Sequence, residues 1–184
     1  MVVNDLPANA VHVWWADPDV IVEDPRCIDL LCASEIDQLA KFRFDHDRVL
    51  YLATRVMVRT TLSRYASVSP RAWRFASNAY GRPSIDPISP LKFNLSNTRG
   101  MIVCAIADDL EIGVDVEDVT REAPLDVATH YFAPIEVANL RSVAPREQAK
   151  RFFDVWTLKE SYIKARGLGL TIPLDRDHDR SRVG

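Results

Sequence analysis

The chain has 184 residues, 47% hydrophobic and 27% charged, enough to bury a core in one domain or two small lobes. Its net charge of −3 argues against nucleic-acid binding, which favours an excess of Lys and Arg. No apolar stretch approaches the ~20 residues that span a bilayer, and the N-terminus lacks the charge pattern of a signal peptide, so we expect a cytoplasmic protein without a membrane partner.

The first part of the chain is predicted to form one strand and two helices. Val11–Ala16 is typical of a short strand. From Ser34, which can cap a helix, apolar residues recur at helical spacing as far as Phe42. A longer helix is predicted over Asp47–Tyr65, with an apolar stripe along one side. Its arginines are assigned to solvated faces: Arg48, Arg55 and Arg59.

The rest of the chain mixes strands and helices. After Pro70, turn-forming residues separate short strands. Further strands are predicted to end near Asn97 and to cover Met101–Ala107 and Leu110–Glu117. Helices are predicted after Pro124, around Pro134–Leu140 and over Gln148–Arg166, the last one stopped by Gly167. Because strands and helices do not alternate regularly, we predict an α+β fold.

A short acidic motif, Gly113–Glu117, carries the first candidate site residues. In a strand, Asp115 and Glu117 would point to the same face. Two neighbouring carboxylates repel each other unless a cation or water lies between them, and Mg²⁺ binds to few protein carboxylates and completes its shell with phosphate and water. The alternative is a solvated strand face.

A second motif places Glu160 and Lys164 one turn apart on the last helix. The alternative is an ordinary surface ion pair worth a few tenths of a kcal/mol. However, apolar residues nearly encircle this helix, which predicts that much of its surface is buried or lines a cleft. A metal and a phosphate would satisfy both charged groups there.

A third group of polar residues lies in Phe93–Thr98, preceded by the turn Tyr80–Pro83. Hydroxyl and amide groups near a Gly-Arg turn suit contacts with phosphate and adenine. The alternative is that Asn and Ser simply favour turns.

In this order, the motifs resemble the pattern of the Sfp-type 4′-phosphopantetheinyl transferases. That pattern reads as a G-K-P turn, F-N-[IL]-S-H-S, [IV]-G-[IV]-D-[IV]-E and W-[ST]-x-K-E-[AS]-[FY]-x-K-x-x-G-x-G-L. The chain carries it as Gly81-Arg82-Pro83, Phe93–Ser96, Ile112–Glu117 and Trp156–Leu170. The last two motifs are specific in combination, and the resemblance covers about residues 40–174.

The resemblance implies a Mg²⁺-dependent enzyme that transfers the 4′-phosphopantetheine group of coenzyme A to a serine of an acyl or peptidyl carrier protein. It implies metal ligation by Asp115, Glu117 and Glu160 and catalysis by Glu160 as base and Lys164 as acid. It also implies coenzyme A contacts from Gly81, Arg82, Asn94, Ser96, Asn97 and Lys164. A monomer is expected, built from two similar lobes related by a pseudo-twofold axis, over 1–107 and 108–184.

Thr98 replaces the usual serine of the family pattern, and the chain departs from the pattern in two further places. Asn97 stands where the family usually has histidine, which removes a positive charge but keeps a hydrogen-bond donor. A strand is expected to begin at Thr171, but residues 175–184 have no apolar face and are expected to form a solvated tail, so the second lobe is predicted to be incomplete. The alternative function is therefore a catalytically impaired member that only binds coenzyme A or the carrier. A generic nucleotide phosphotransferase is disfavoured because the chain lacks a Gly-rich phosphate loop.

Overall fold

The computed structural model describes residues 4–172 of the chain, and these residues form an α+β fold. The strands are β1 (Val11–Ala16), β2 (Phe75–Ser77), β3 (Pro83–Ile85), β4 (Leu91–Thr98) and β5 (Met101–Asp108). The α-helices are α1 (Pro18–Ile21), α2 (Ala33–Leu39), α3 (Asp45–Leu62), α4 (Ala128–Tyr131), α5 (Pro134–Ser142) and α6 (Pro145–Arg166). Shorter 3₁₀ turns cover Pro25–Leu30, Pro70–Ala72 and Gly169–Thr171.

The main sheet is antiparallel, with the strand order β1-β5-β4, and β2 and β3 form a separate hairpin. One face of the main sheet packs against α3. The core between them contains Met57, Val58 and Leu62 from the helix and Phe93, Ile102, Cys104 and Ile106 from the sheet. Alternate residues of a strand point to opposite faces, so Asn94 and Ser96 of β4 project from the other face.

The other face is partly covered by the segment that follows β5. There Ala105 and Ala107 contact Ile112, with Leu110 and Val114 packed alongside. A second core lies between α4, α5 and α6 and includes Phe132, Leu140, Phe152 and Phe153. Helix α6 ends at Arg166 and is capped by Gly167, whose φ of 64° is left-handed and therefore suits glycine. No helix among residues 4–172 is long and apolar enough to cross a membrane.

Most predicted elements are confirmed, including β1, β5, the long helix α3 and α6. Ser34 is not the N-cap of α2. Cys32 occupies that position, and its N–H donates to the Glu35 carboxylate at 3.0 Å. The helix ends at Leu39, before Phe42. Thr171 lies in a 3₁₀ turn rather than a strand, and the tail over 175–184 lies outside the described residues. The division into lobes at 107/108, their pseudo-twofold relation and the incomplete second lobe stay predictions.

The prediction of a strand over Leu110–Glu117 is wrong, because this segment pairs with side chains instead of a neighbouring backbone. The N–H of Val114 donates to Oδ1 of Asn94 at 2.9 Å, and the N–H of Val116 donates to Oγ of Ser96 at 3.3 Å. Since both acceptors project from the face of the sheet, the segment crosses that face and does not extend the sheet at its edge.

The assignment of Arg59 to a solvated face is also wrong. Its side chain is 1% exposed and forms an ion pair with Glu35 at 2.7 Å. Its Nη1 donates to the carbonyl oxygens of Trp73 at 2.9 Å and Pro70 at 3.0 Å. These partners satisfy a buried guanidinium, which helical periodicity alone could not reveal.

Candidate active site

The site forms where α6 meets the segment 112–117, and Gly113 allows this approach. A Cβ atom added to Gly113 would lie 1.9 Å from the carbonyl oxygen of Ser161 and 2.5 Å from the amide nitrogen of Ala165. Only a residue without a side chain fits against the helix backbone at this distance. The next residues of the segment are therefore held beside the last two turns of α6.

Asp115 is the central residue of the site, and its side chain is only 7% exposed. Its Oδ1 accepts hydrogen bonds from Nζ of Lys164 at 2.6 Å and from Oγ of Ser96 at 2.8 Å. Nζ of Lys164 also donates to Oγ of Ser96 at 2.9 Å. The second carboxylate oxygen of Asp115, Oδ2, is buried and has no hydrogen-bond partner among residues 4–172. A buried carboxylate oxygen without a partner is costly and marks a place where a cation or donor fits.

Glu160 lies one turn before Lys164 on α6. Burial raises the pKa of its carboxyl group, and the negative charges of Asp115 and Glu117 raise it further, while Lys164 opposes them. The three carboxylates therefore interact electrostatically, as expected for groups that share one site. Among residues 4–172, however, no three His, Cys, Asp or Glu side chains are arranged to hold a metal ion on their own.

Glu117 is held at the edge of this cluster by a residue that the sequence did not single out. Its Oε2 accepts from Nη2 of Arg121 at 2.7 Å, and the guanidinium of Arg121 lies over the ring of Phe153, 4.9 Å from its centroid. This contact links the end of the acidic segment to α6.

The polar residues of β4 divide between the two faces of the sheet. Asn94 and Ser96 are buried, with 4% and 6% exposure, and their side chains hold the segment 112–117 as described above. Asn97 is exposed and belongs to the alternate set of β4 residues. The structure thus joins Ser96 to Asp115 and Lys164 but leaves Asn97 outside this cluster.

Gly81 lines two cavities, and Arg82 lines the smaller of them. A cavity of about 250 Å³ is lined by Gly81, Arg82, Asn94 and Lys164, among others. A larger one of about 750 Å³ also includes Gly81, and its lining is rich in arginine: Arg55, Arg59, Arg71 and Arg74. Gly81 has a φ of 84°, a left-handed conformation that glycine adopts readily.

The guanidinium of Arg82 contacts protein groups in this structure. Its Nη1 donates to the carbonyl oxygen of Ala165 at 2.9 Å, and its Nη2 donates to that of Ile112 at 3.2 Å. It also forms an ion pair with Glu111. Sequence reasoning considered Arg82 only as a ligand contact, because these partners lie 30 and 83 residues away along the chain.

Comparison with known proteins identifies the family. A model of the 4′-phosphopantetheinyl transferase superfamily matches residues 111–183, which include the acidic segment and α6. The chain is 31% identical over 153 residues to the 4′-phosphopantetheinyl transferase Sfp of Bacillus subtilis (strain 168), covering 83% of the chain and 67% of that relative. The chain belongs to the 4′-phosphopantetheinyl transferase family.

Other members of the transferase family show a similar match. The transferase HetI of Nostoc sp. is 32% identical over 172 residues, covering 90% of the chain and 72% of HetI. The transferase ffp of Bacillus subtilis is 31% identical over 165 residues, covering 88% of the chain and 73% of ffp. The family resemblance and enzyme class expected from the motifs are confirmed.

Two further residues that shape the site were not assigned a role from sequence. Gly113 belongs to the acidic motif, but its role depends on the close approach of the segment 112–117 to α6, which only the fold reveals. Asn78 donates from Nδ2 to the carbonyl oxygen of Gly167 at 2.7 Å, and no local pattern signals this contact.

Proposed function

We propose that this chain transfers the 4′-phosphopantetheine group of coenzyme A to a serine hydroxyl of an acyl or peptidyl carrier protein, releasing 3′,5′-ADP. The observation that carries the proposal is the arrangement of Asp115, Glu160 and Lys164 in one half-buried cluster. It combines an unpartnered carboxylate oxygen, a carboxyl group with a raised pKa and a lysine ammonium. These are the groups that a phosphoryl-type transfer to a hydroxyl requires.

The residues of the cluster fit a Mg²⁺ ion. The ion would be held by Asp115, Glu117 and Glu160. The best-placed ligand atom is Oδ2 of Asp115, which has no hydrogen-bond partner among the described residues. Since Mg²⁺ takes one or two carboxylates and completes its shell with water and substrate phosphate, a complete protein cage is not required. When bound, the ion would neutralise negative charge on the coenzyme A pyrophosphate.

The protein groups can carry the proton transfers. Glu160 accepts the proton of the carrier serine, whose oxygen then attacks the phosphorus next to the pantetheine, and the bond from that phosphorus to the bridging oxygen of 3′,5′-ADP breaks. A raised pKa suits Glu160 to this role, because a general base works best when its pKa is near the working pH. Lys164 contacts the pyrophosphate and gives a proton to the departing 3′,5′-ADP.

The two cavities beside the Gly81–Arg82 turn support coenzyme A as the donor. We place the pyrophosphate by Lys164 and Ser96 and the 3′-phosphoadenosine end by Gly81 and Arg82. Arg71 and Arg74, which are exposed in the lining of the larger cavity, suit a phosphorylated nucleotide, because guanidinium groups bind phosphate in a bidentate manner. Asn97 lies outside the cluster at the exposed end of β4, and there it would offer coenzyme A a neutral hydrogen-bond donor in place of a charge.

The proposal is tested by mixing the protein with an apo carrier protein, coenzyme A and Mg²⁺ and measuring the intact mass of the carrier. We expect a mass gain of one phosphopantetheine group that is lost when Mg²⁺ is chelated. Asp115→Asn and Glu160→Gln should each lower the rate by about 10²-fold or more. Asp118→Asn, three residues after Asp115, is the matched control and should stay close to wild type.

Two outcomes would contradict the proposal. A carrier that gains no mass even at high enzyme concentration would refute the transferase activity, and calorimetric binding of coenzyme A in that case would favour the alternative of a binding protein. A Glu160→Gln variant with wild-type turnover would show that the assignment of the base and metal ligand is wrong.

A further inference from the structure

The turn over 78–82 contacts the C-terminal end of α6 through side chains. The last carbonyl groups of a helix have no partner within the helix. Here the carbonyl oxygen of Ala165 accepts from Arg82 at 2.9 Å, and that of Gly167 accepts from Asn78 at 2.7 Å. The positive guanidinium also lies at the negative end of the helix dipole, which is favourable. The end of the helix that carries Lys164 is thus capped by residues more than 80 positions earlier in the chain.

The same guanidinium also reaches the acidic segment. While Nη1 of Arg82 contacts α6, Nη2 donates to the carbonyl oxygen of Ile112 at 3.2 Å, and Glu111 pairs with the side chain. Arg82 therefore bridges the two parts of the chain that bear the proposed site, α6 and the segment 112–117. Its contact on α6, Ala165, is one residue after Lys164. Its contact on the acidic segment, Ile112, is three residues before Asp115.

Asn78 fixes the turn from which Arg82 projects. Its Oδ1 accepts from the backbone N–H groups of Tyr80 and Arg82, each at 2.9 Å, while its Nδ2 donates to Gly167. The fit is tight at this point, since a Cβ added to Gly167 would lie 2.8 Å from Cδ of Arg82. The turn, the side chain of Arg82 and the end of α6 form one packed unit.

We propose that Arg82 and Asn78 are positioning residues, which hold α6 and the acidic segment at the separation that brings Glu160 and Lys164 to Asp115. The inference rests on the proposed function, because it assigns a role within that site. A simple phosphate contact by Arg82 would depend on the charge of its side chain. The positioning role depends instead on its two Nη groups, which contact α6 and the acidic segment at the same time. Groups behind metal ligands and catalytic residues commonly set affinity or activity by 10–100-fold.

The variant Arg82→Lys separates the two roles. Lysine, which the family pattern G-K-P has at this position, keeps the charge that a phosphate contact needs. In this chain its single ammonium group cannot reproduce the fork by which Arg82 reaches Ala165 and Ile112 together. The second variant is Asn78→Asp, which keeps the acceptor for the turn and places an oxygen against the carbonyl of Gly167. Tyr65→Phe is the control. It removes a buried hydrogen-bond partner of Trp14 on the α3 side of the sheet and lowers stability without touching the site.

Two readouts are measured for each variant. The first is the Mg²⁺ concentration that gives half of the maximal Mg²⁺-induced change in melting temperature, measured without carrier protein. The second is the split between kcat and KM for coenzyme A in the carrier assay. We expect Arg82→Lys and Asn78→Asp to raise the half-saturating Mg²⁺ concentration by about 10-fold and to lower kcat by about 10-fold or more, with little change in KM. Tyr65→Phe should lower the melting temperature but leave the half-saturating Mg²⁺ concentration and the kinetic constants unchanged.

The outcomes distinguish this inference from the proposed function. If the wild type transfers the group and Arg82→Lys changes only KM, or nothing, the positioning role is refuted and the proposed function stands. If the wild type shows no transfer but both variants still weaken its Mg²⁺ response, the positioning role is supported and the transferase proposal falls. If the wild type neither responds to Mg²⁺ nor transfers the group, both are refuted.

Discussion

Replacing Gly113 by alanine should damage the site through a single methyl group. The added Cβ would lie 1.9 Å from the carbonyl oxygen of Ser161, whereas real Cβ contacts essentially never fall below 3.0 Å. Both obstructing atoms, this oxygen and the amide nitrogen of Ala165, belong to the helix backbone, so no side chain can rotate away. The segment and the helix must separate by at least about 1.1 Å, the difference between these two distances.

A separation of this size exceeds the range over which a hydrogen bond keeps its strength. It acts directly on the contact of 2.6 Å between Lys164 and Asp115, since those residues belong to the two parts that are forced apart. Overpacking of this kind costs about 1–3 kcal/mol of folding free energy. A displacement of about 1 Å at reacting groups can cost about 10²-fold in rate. We therefore expect a folded protein with a large loss of activity.

The measurement combines the carrier mass assay with urea denaturation of the same preparations. Gly100→Ala is the control. Within residues 4–172 no atom beyond its two chain neighbours lies within 4 Å of its added Cβ, while its φ of 76° makes alanine strained. That variant should lose about 1 kcal/mol of stability and keep its turnover. The prediction is refuted if Gly113→Ala keeps turnover within about twofold of wild type, or loses no more turnover than Gly100→Ala. The close approach of helix and segment would then not determine the geometry of the site.

Three further predictions concern buried groups. Arg59→Leu should lower the free energy of unfolding by about 3–5 kcal/mol, because it leaves the buried Glu35 carboxylate with one ion pair among the described residues, the longer contact of 3.8 Å to Arg55. Urea denaturation measures this loss, and a cost below about 1 kcal/mol would mean that the Arg59–Glu35 pair acts like a surface pair. Since the pKa of Glu160 is raised in the folded protein, the folded state binds more protons than the unfolded chain above the ordinary carboxyl pKa, and the metal-free protein loses stability as pH rises through that window. The stability gained by Glu160→Gln should therefore be absent near pH 4 and present at pH 7; a gain that is equal at both values would contradict the shift. Burial raises the pKa of the Cys104 thiol to about 12, so it should resist an aromatic disulfide reagent at pH 8 in the native protein and react only in denaturant.

Local patterns were enough to locate the elements that carry the site. Apolar periodicity and a terminal glycine predicted the helix ending at Arg166, and a continuous apolar run predicted β5. These signals depend on neighbours within a few residues. The placement of Lys164 one turn after Glu160 followed directly from that helix.

Contacts between distant parts of the chain could not be predicted in this way. Alternation suggested a strand over Leu110–Glu117, but Asn94 and Ser96 take the backbone N–H groups that a strand would give to its neighbour. Arg82 was expected at a phosphate, and its bonds to Ile112 and Ala165 depend on how the turn over 78–82 packs against α6. A side chain that binds a remote carbonyl leaves no periodic signal in the sequence.

The pairing of the acidic segment with side chains of β4 also limits how the chain can change in length. A backbone ladder offers an acceptor at regular intervals, so a shifted segment can find a new register. Here the two acceptors are individual groups on Asn94 and Ser96, and the buried oxygen that they help to place belongs to Asp115 alone. An insertion or deletion of one residue between Asp109 and Gly113 would therefore bring a valine to the position of that carboxylate, whereas the surface turn at Arg99–Gly100 has no such constraint. Apart from Gly113, which has no room for a side chain, the loop after β5 should tolerate substitution better than a change in length.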